Sequence, residues 1–498
     1  MKMKKYIILF AAAVLGASCS NLLDQTPTDK YTPEDLEKAD PFTVVESMMN
    51  AAMSTVHSLG SGTQYRGYKC LNLNLDCLGN DLVVNRSGAG WFTDMYAMQG
   101  YRGATDTNPS MQWQVYYKYI WAANDVLKFV DFDKSTAANL PKLKMVAAQA
   151  YTLRAFSYYH LICQFQDAYL FGGKDKSGVP VYTKSGEAAK GRGTAQEVYA
   201  RILEDLTTAI GYFEEGATPA SKEGISIYVA YMTLARTALT MGDYTTAVTA
   251  ANSVIEGGFS LMTEDEAFDN GFQKLGGPET IWGYKWTQNT SLTNNSFASH
   301  ISATVNSYGG LSGGYKMIDS RLYDQISGDD WRKELFLPYN AQYTYPNGSS
   351  NVIPKYTNMK FNAPNYNQDE VYMRLSEAYF IKAEAQASTS ANHAADYPGA
   401  QQTLYDILST RIDGYVKSTK TGADLLDEIR LHKRIEMWGE GLEYFDNKRV
   451  NKGVDRTGST NQWAPVVVSA GKDFTLRIPK TVEIERNPHI SDEDNNPL

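Results

Sequence analysis

Between residues 80 and 101 the chain sets Asn80, Asp81 and Arg86 beside Trp91, Phe92, Tyr96 and Tyr101. Aromatic rings offer large, rigid apolar faces at low entropic cost. Amide, carboxylate and guanidinium groups offer directional acceptors and donors. Together they suit a ligand with flat apolar faces and hydroxyl edges. That is gripping chemistry, with no bond-breaking step in it. The competing reading is that Trp91 plugs the core beneath a loop and Asp81 caps a turn. Tyr308, in a Gly-rich loop, adds a further candidate ring, with Tyr315 nearby. Trp286 is a weaker candidate. It alternates with Trp282 and Tyr284 in IWGYKW, so the three would share one strand face, and such a face more often packs into a core.

Three patterns could do other chemistry. Gly310-Leu311-Ser312-Gly313-Gly314 satisfies GxSxG. A nucleophile elbow needs a strand before the serine and a helix after it. Here glycines precede it and no matching triad order follows, so it reads as a flexible loop. His432 and Glu436 stand one helical turn apart and could ligate a metal, but they fall among charges that read as structural. Asp329-Asp330 could touch calcium, yet the chain has no EF-hand spacing. No cofactor is called for, and bound calcium is left open.

The elements that must position these residues are mainly helical. Asp40 to Leu59 reads as a first helix. Residues 60–110 are rich in Gly, Asn, Asp and aromatics and read as loops. Pro109 to Val130 carries Trp113, Tyr116, Tyr117, Ile120 and Trp121 at helical spacing. Leu143 to Phe165 is a strong helix. Thr194 and Glu197 form a capping box before Val198 to Tyr212. Residues 228–256 pattern as a tetratricopeptide-like pair: Tyr231, Leu234 and Ala235 are knobs, Gly242, Asp243 and Tyr244 make the turn, and Ala247 is small where helices cross. Val371 to Ala387 with Ala400 to Ile412 reads as a second pair. Residues 257–368 read as a long irregular insertion with short strands, and loops of that length are usually functional. Helix returns at Gly422 to Trp438. A polar tail follows, with one strand near Phe474 to Ile478.

The ends and totals bound the setting. Lys2, Lys4 and Lys5 precede an apolar run from Tyr6 to Leu15, then Gly16, Ala17, Ser18 and Cys19. This is the build of a secretory signal peptide, too short to span a bilayer core, which takes about 20 residues. A cysteine at that point marks a lipoprotein, with the thiol acylated after cleavage. Leu15 stands four residues before Cys19, one more than the usual lipobox. Removing residues 1–18 takes away three lysines, so the net charge of -9 becomes -12. Nucleic acid and anionic lipid need basic patches, so both are poor main partners. Of the remaining cysteines, Cys70 and Cys77 could pair in an oxidising compartment, and Cys163 reads as a small core residue. The 34 Tyr and 8 Trp are too many for the core alone. No long linker divides residues 19–498, which read as one unit: a part to about 256, the insertion 257–368, and a helical part 369–498.

Several motifs then converge. Leu22-Leu23-Asp24 with Pro27, Arg154-Ala155-Phe156 with Tyr159 and Leu161, and Gly178-Val179-Pro180 run through the first half. Met373 to Tyr379 with Ala383-Glu384-Ala385, Arg434, Glu436, Gly439 to Gly441, Phe445, Asp446 and Arg449, and Ile478-Pro479 with Glu483 to Pro488 run through the second. Over nearly its whole length the chain resembles the SusD/RagB lipoproteins of Bacteroidetes. It departs at Met437-Trp438 and lacks the family's ending after Pro488. The resemblance implies a mainly α SusD-like fold, with four tetratricopeptide-like pairs backing an irregular loop-rich lobe. It implies an outer-membrane, outward-facing lipoprotein anchored through Cys19. It implies a SusC-like TonB-dependent barrel as partner and a glycan as cargo, with a peptide as the alternative. By position, it carries ligand-facing roles to Trp91, Asp81 and Arg86. In this helix-turn, Glu440, Asp446 and Arg449 are expected to form a buried ion-pair network. A lipid-anchored hydrolase is the contrasting reading.

Overall fold

The computed structural model describes residues 40–497 apart from 87, 288–291, 364 and 367. Cys19 and the leader therefore lie outside the described residues. Helix α1 (Pro41–Ser58) starts where Asp40 accepts the Thr43 N–H at 3.2 Å, with proline in the first turn. Helix α2 (Gly67–Asp76) leads to strand β1 (Leu82–Val84). Then come α3 (Thr107–Phe129), α4 (Leu140–Phe165), α5 (Ala195–Glu215), α6 (Ile227–Met241) and α7 (Tyr244–Ile255). Each helix from α3 onward packs on the next. Arg154 on α4 ties three of them: it donates to Asp205 on α5 at 2.7 and 2.8 Å and to Asn124 on α3 at 2.6 Å.

The α6–α7 pair forms for reasons visible in its residues. Gly242 ends α6 at φ +75°, where a side chain would be strained. Asp243 then caps α7 by accepting the Thr246 N–H at 3.2 Å. Ala235, Ala238, Ala247 and Ala251 are buried where the two axes approach.

Four short strands follow: β2 (Thr280–Tyr284), β3 (Lys316–Ile318), and the hairpin β4 (Ala341–Thr344) and β5 (Ser350–Ile353). Strand β6 (Glu370–Arg374) runs straight into α8 (Leu375–Ala387), which packs on α7, α9 (Tyr397–Leu408) and α10 (Gly422–Glu436). Helix α11 (Glu443–Arg449) and the small pair β7 (Val454–Asp455) and β8 (Val467–Val468) follow, and beyond them the described chain holds only short helical turns. Every sheet is a two-stranded antiparallel pair: β1 with β3, β2 with β6, β4 with β5, and β7 with β8. One large apolar cluster runs from Val45 to Ile490, and a smaller one joins α8, α9 and α10 through Phe380, Leu404 and Leu425. No helix among the described residues is long and apolar enough to cross a membrane.

Four expectations are corrected. Residues 60–110 hold helix α2, whose ten residues are all buried. Its polar residues Lys69, Asn72, Asn74 and Asp76 are buried with the rest, and the glycines at and beyond its ends read as loop. Residues 370–374 form strand β6, paired with β2, and helix begins only at Leu375. Residues 474–478 form no strand: Leu476 donates to Gln164 and Arg477 to Arg102, so the segment is pinned to two different elements. Cys70 and Cys77 are free and buried. Seven residues apart at a helical rise, their Cα atoms lie about 10 Å apart, beyond the roughly 7 Å a disulfide can bridge. Burial pushes the Cys77 thiol up to about 12 and Cys70 well above its usual range.

Candidate ligand-binding site

The β1–β3 pair brings two distant loops together. Val84 is opposite Lys316, and past it the Asn85 N–H donates to the Tyr315 carbonyl at 2.9 Å. The chain after β1 carries Trp91, and the chain before β3 carries Tyr308. The Tyr308 loop folds on itself through Gly309 N–H to Ser299 O at 2.7 Å, Leu311 N–H to Val305 O at 3.1 Å and Gly314 N–H to Tyr308 O at 2.9 Å. Gly310 permits this approach, since a Cβ there would stand 2.0 Å from the Val305 carbonyl oxygen.

The two aromatic candidates meet. The Trp91 and Tyr308 ring centres are 5.6 Å apart at 67°, and both side chains are partly exposed. Together they make an angled aromatic corner. His300 lies behind it, buried, stacked on Tyr308 at 5.3 Å and 12°. Buried Phe92 meets His300 edge-on at 5.1 Å. Burial, helped by nearby Lys316, brings His300 down to about 3, so the ring is neutral. Its Nε2 lies 3.0 Å from the Thr63 carbonyl, which can only accept, so Nε2 carries the proton. Lys316 donates to the carbonyls of His300 at 3.2 Å and Gly314 at 2.7 Å, and burial lowers it to about 8. The corner therefore rests on a rigid, hydrogen-bonded base.

Polar groups that the sequence did not single out stand on the same loop and its neighbours. Asn306 is exposed, its side chain accepts from Asn347 at 3.2 Å, and its carbonyl accepts from the Tyr366 hydroxyl at 3.0 Å. Arg86 is exposed, but its guanidinium lies over Trp463, 5.6 Å from the ring centre. Trp463 is held by its Nε1 donating to Val84 O at 2.7 Å. Nothing local in the C-terminal tail signals that this ring returns to the Arg86 loop.

The remaining expected ligand residues are structural. Asp81 is buried and forms a two-pronged pair with Arg434, one arm at 2.8 Å. Asp81 in turn raises the Arg434 guanidinium. The backbone N–H groups of Asn80 and Asp81 donate to Glu443 at 2.5 and 3.1 Å. The Asn80 side chain accepts from Asp455 N–H at 2.8 Å, so it pins β7. Tyr96 is fully buried under Arg456, 4.0 Å from its ring centre. Tyr101 donates to Asp473 O at 2.6 Å and holds the C-terminal segment. Trp286 is buried edge-on to His57 and Tyr284 at 5.4 and 5.5 Å, away from the corner.

The other chemical candidates are occupied by charge partners or set in the wrong frame. Glu436 takes Arg332, Arg374 and Arg411, each at 3.1 Å. Burial would raise its carboxyl, but Arg411, Arg374 and Arg332 outweigh that and hold it well below the ordinary range. His432 Nδ1 accepts from Arg332 at 3.2 Å, and burial lowers it to about 3. A pair so engaged offers no lone pairs to a metal. Asp330 gives both oxygens to Arg332 at 2.7 and 2.9 Å, which removes it from any calcium site. No group of three His, Cys, Asp or Glu among the described residues could hold a metal ion. Residues 310–314 precede strand β3 and follow turns, the reverse of an elbow. The expected ion-pair network divides in two. Glu440 joins Arg374 at 2.7 Å and Lys360 at 2.6 Å, while Asp446 joins Lys433 and Arg449 at 2.8 Å.

Comparison with known proteins places this frame. A family model described as the SusD family matches residues 230–486, and one described as starch-binding and associating with the outer membrane matches residues 46–239. The first covers more than half of the chain, and the chain belongs to the SusD family. The SusD-like protein P2 of Formosa agariphila is 26% identical, over 99% of this chain and 100% of its own. The crystal structure of a SusD-like carbohydrate-binding protein from Bacteroides vulgatus superposes with a TM-score of 0.77 at 25% identity, covering 92% of this chain and 98% of that one. Surface glycan-binding protein A of Bacteroides uniformis shares the fold with a TM-score of 0.68 at 18% identity, over 91% of this chain and 99% of that one.

Proposed function

We propose that this protein captures a glycan at the Trp91–Tyr308 corner and performs no chemistry on it. The observation that carries the reading is the corner itself: two partly exposed rings from separate loops, set at an angle over a neutral histidine base. Such rings stack on sugar faces, while Asn306, Asn347 and Arg86 offer polar groups around them. Family membership supports the carbohydrate class. Acylation at Cys19 would tether the protein to the outer membrane, facing outward. A SusC-like TonB-dependent barrel would receive the cargo. Peptide capture calls for charge pockets and backbone partners more than stacking platforms, and the corner offers platforms.

Affinity electrophoresis of the mature protein on a polysaccharide panel tests this. One polysaccharide should retard the wild type, and Trp91→Ala should be retarded far less, with its thermal midpoint kept. Unchanged retardation of Trp91→Ala would remove the corner from the site. Shortened polysaccharide after prolonged incubation would make the protein a hydrolase.

A further inference from the structure

Helix α3 leaves two large aromatics outside the core, Phe129 at its last turn and Trp121 on its middle. Trp113, Tyr116, Tyr117 and Ile120 are buried, while Trp121 is 59% exposed. A single exposed apolar residue needs no explanation. Trp121, however, borders a cleft of about 550 Å³, walled by Tyr182, the turn 184–187, and Glu483 and Arg486 of the C-terminal segment. That volume lies within the roughly 300–1,000 Å³ of small-molecule sites.

The floor of this cleft is fixed. Asn124 accepts from Arg154 at 2.6 Å and donates to the Tyr182 carbonyl at 3.2 Å. Glu483 accepts from Trp113 Nε1 at 3.0 Å and from Asn487 at 2.7 Å. The Tyr182 hydroxyl accepts the Lys190 N–H at 3.2 Å. The rim is different. The side chains of Trp121, Asp125, Lys184 and Arg486 make no hydrogen bond or ion pair among the described residues. A rigid aromatic-walled floor under an uncommitted polar rim is the arrangement of a preformed ligand site.

We propose that this cleft is a second saccharide site, separate from the Trp91–Tyr308 corner. Trp121 and Tyr182 pack against sugar faces, and Asp125, Lys184 and Arg486 reach hydroxyl groups. The charges on the walls nearly balance, with Asp125, Glu187 and Glu483 against Lys184 and Arg486, so the saccharide is a neutral one. The ligand class rests on the glycan reading of the corner, whereas the location does not. Two sites on one long polysaccharide raise retention by making the second contact intramolecular.

The test is calorimetric titration of the mature protein with short malto-oligosaccharides and laminari-oligosaccharides, for wild type, Trp121→Ala and Trp91→Ala. The expected result is two equivalents bound by wild type and one by each variant. Retention on a gel of the parent polysaccharide should also fall about tenfold or more in Trp121→Ala. The thermal midpoint of that variant should not move, because its ring is largely in solvent. Wild-type stoichiometry retained by Trp121→Ala overturns the second site, and loss in Trp91→Ala alone would then leave the corner reading standing. No neutral saccharide bound by wild type would overturn both.

Discussion

Replacing Asp81 separates a structural role from a ligand-facing one. Its carboxylate side chain is 5% exposed and grips Arg434, whose side chain keeps 34% of its surface in solvent. Breaking a fully buried ion pair costs about 3–5 kcal/mol, because the partner is left charged and dry. Arg434 can recover part of its hydration, so Asp81→Ala should cost about 3 kcal/mol, the lower end of that range. Unfolding entropy near 60 °C is about 2.1 cal/mol/K per residue, or ~1 kcal/mol/K for a folded unit of ~460 residues. The thermal midpoint should therefore fall by about 3 °C. Differential scanning calorimetry reads the shift, and affinity electrophoresis below the transition reads binding. The expected outcome is a lower midpoint with glycan retention kept. A variant that melts like wild type and loses its glycan would refute the reasoning, since the carboxylate would then face ligand.

Other consequences follow from the same geometry. Burial opposes ionisation of Glu440, but Arg374 and Lys360 overcome it and bring its carboxyl down to about 2. Its folded value lies below its unfolded value of about 4.5. Its contribution is therefore complete above pH 4.5 and lost as pH falls toward 2. Glu440→Gln should destabilise at pH 7 and flatten the acid limb of the stability profile, and urea titrations across that window measure it. The free cysteines predict a melting curve indifferent to reductant, with Cys70 and Cys77 alkylated only as the protein unfolds. A midpoint lowered by dithiothreitol would contradict the structure. Gly310→Ala would push a methyl toward the Val305 carbonyl. It should reopen the Tyr308 loop and weaken glycan retention more than it lowers the midpoint. Equal retention in that variant would separate loop closure from binding.

The helical frame was legible because its signals are local. The α6–α7 pair announces itself through Gly242, Asp243 and a run of alanines, and α5 through the Thr194–Glu197 box, which is formed as read. Helix α2 was hidden, since glycines lie at and beyond its ends, no side chain caps it, and its polar residues are buried with the apolar ones. Strand β6 was hidden by the helix that continues from it without a break. The candidate site was legible only in part. Trp91 and Tyr308 stood out as loop aromatics, but their meeting depends on the β1–β3 pairing, which no local pattern encodes. Asp81 misled for the matching reason: a loop carboxylate reads the same whether it faces solvent or a distant arginine. Its partner Arg434 was visible only as part of a motif. Trp463, under Arg86, had no signal in its polar surroundings.

The central claim is that a glycan lies in the Trp91–Tyr308 corner. A crystal structure of the mature protein with an oligosaccharide cut from the polysaccharide that retards it tests this most directly. The account predicts a sugar ring stacked on Trp91 or Tyr308, with Asn306 or Asn347 at its hydroxyls. A bound oligosaccharide that leaves both rings bare would contradict it.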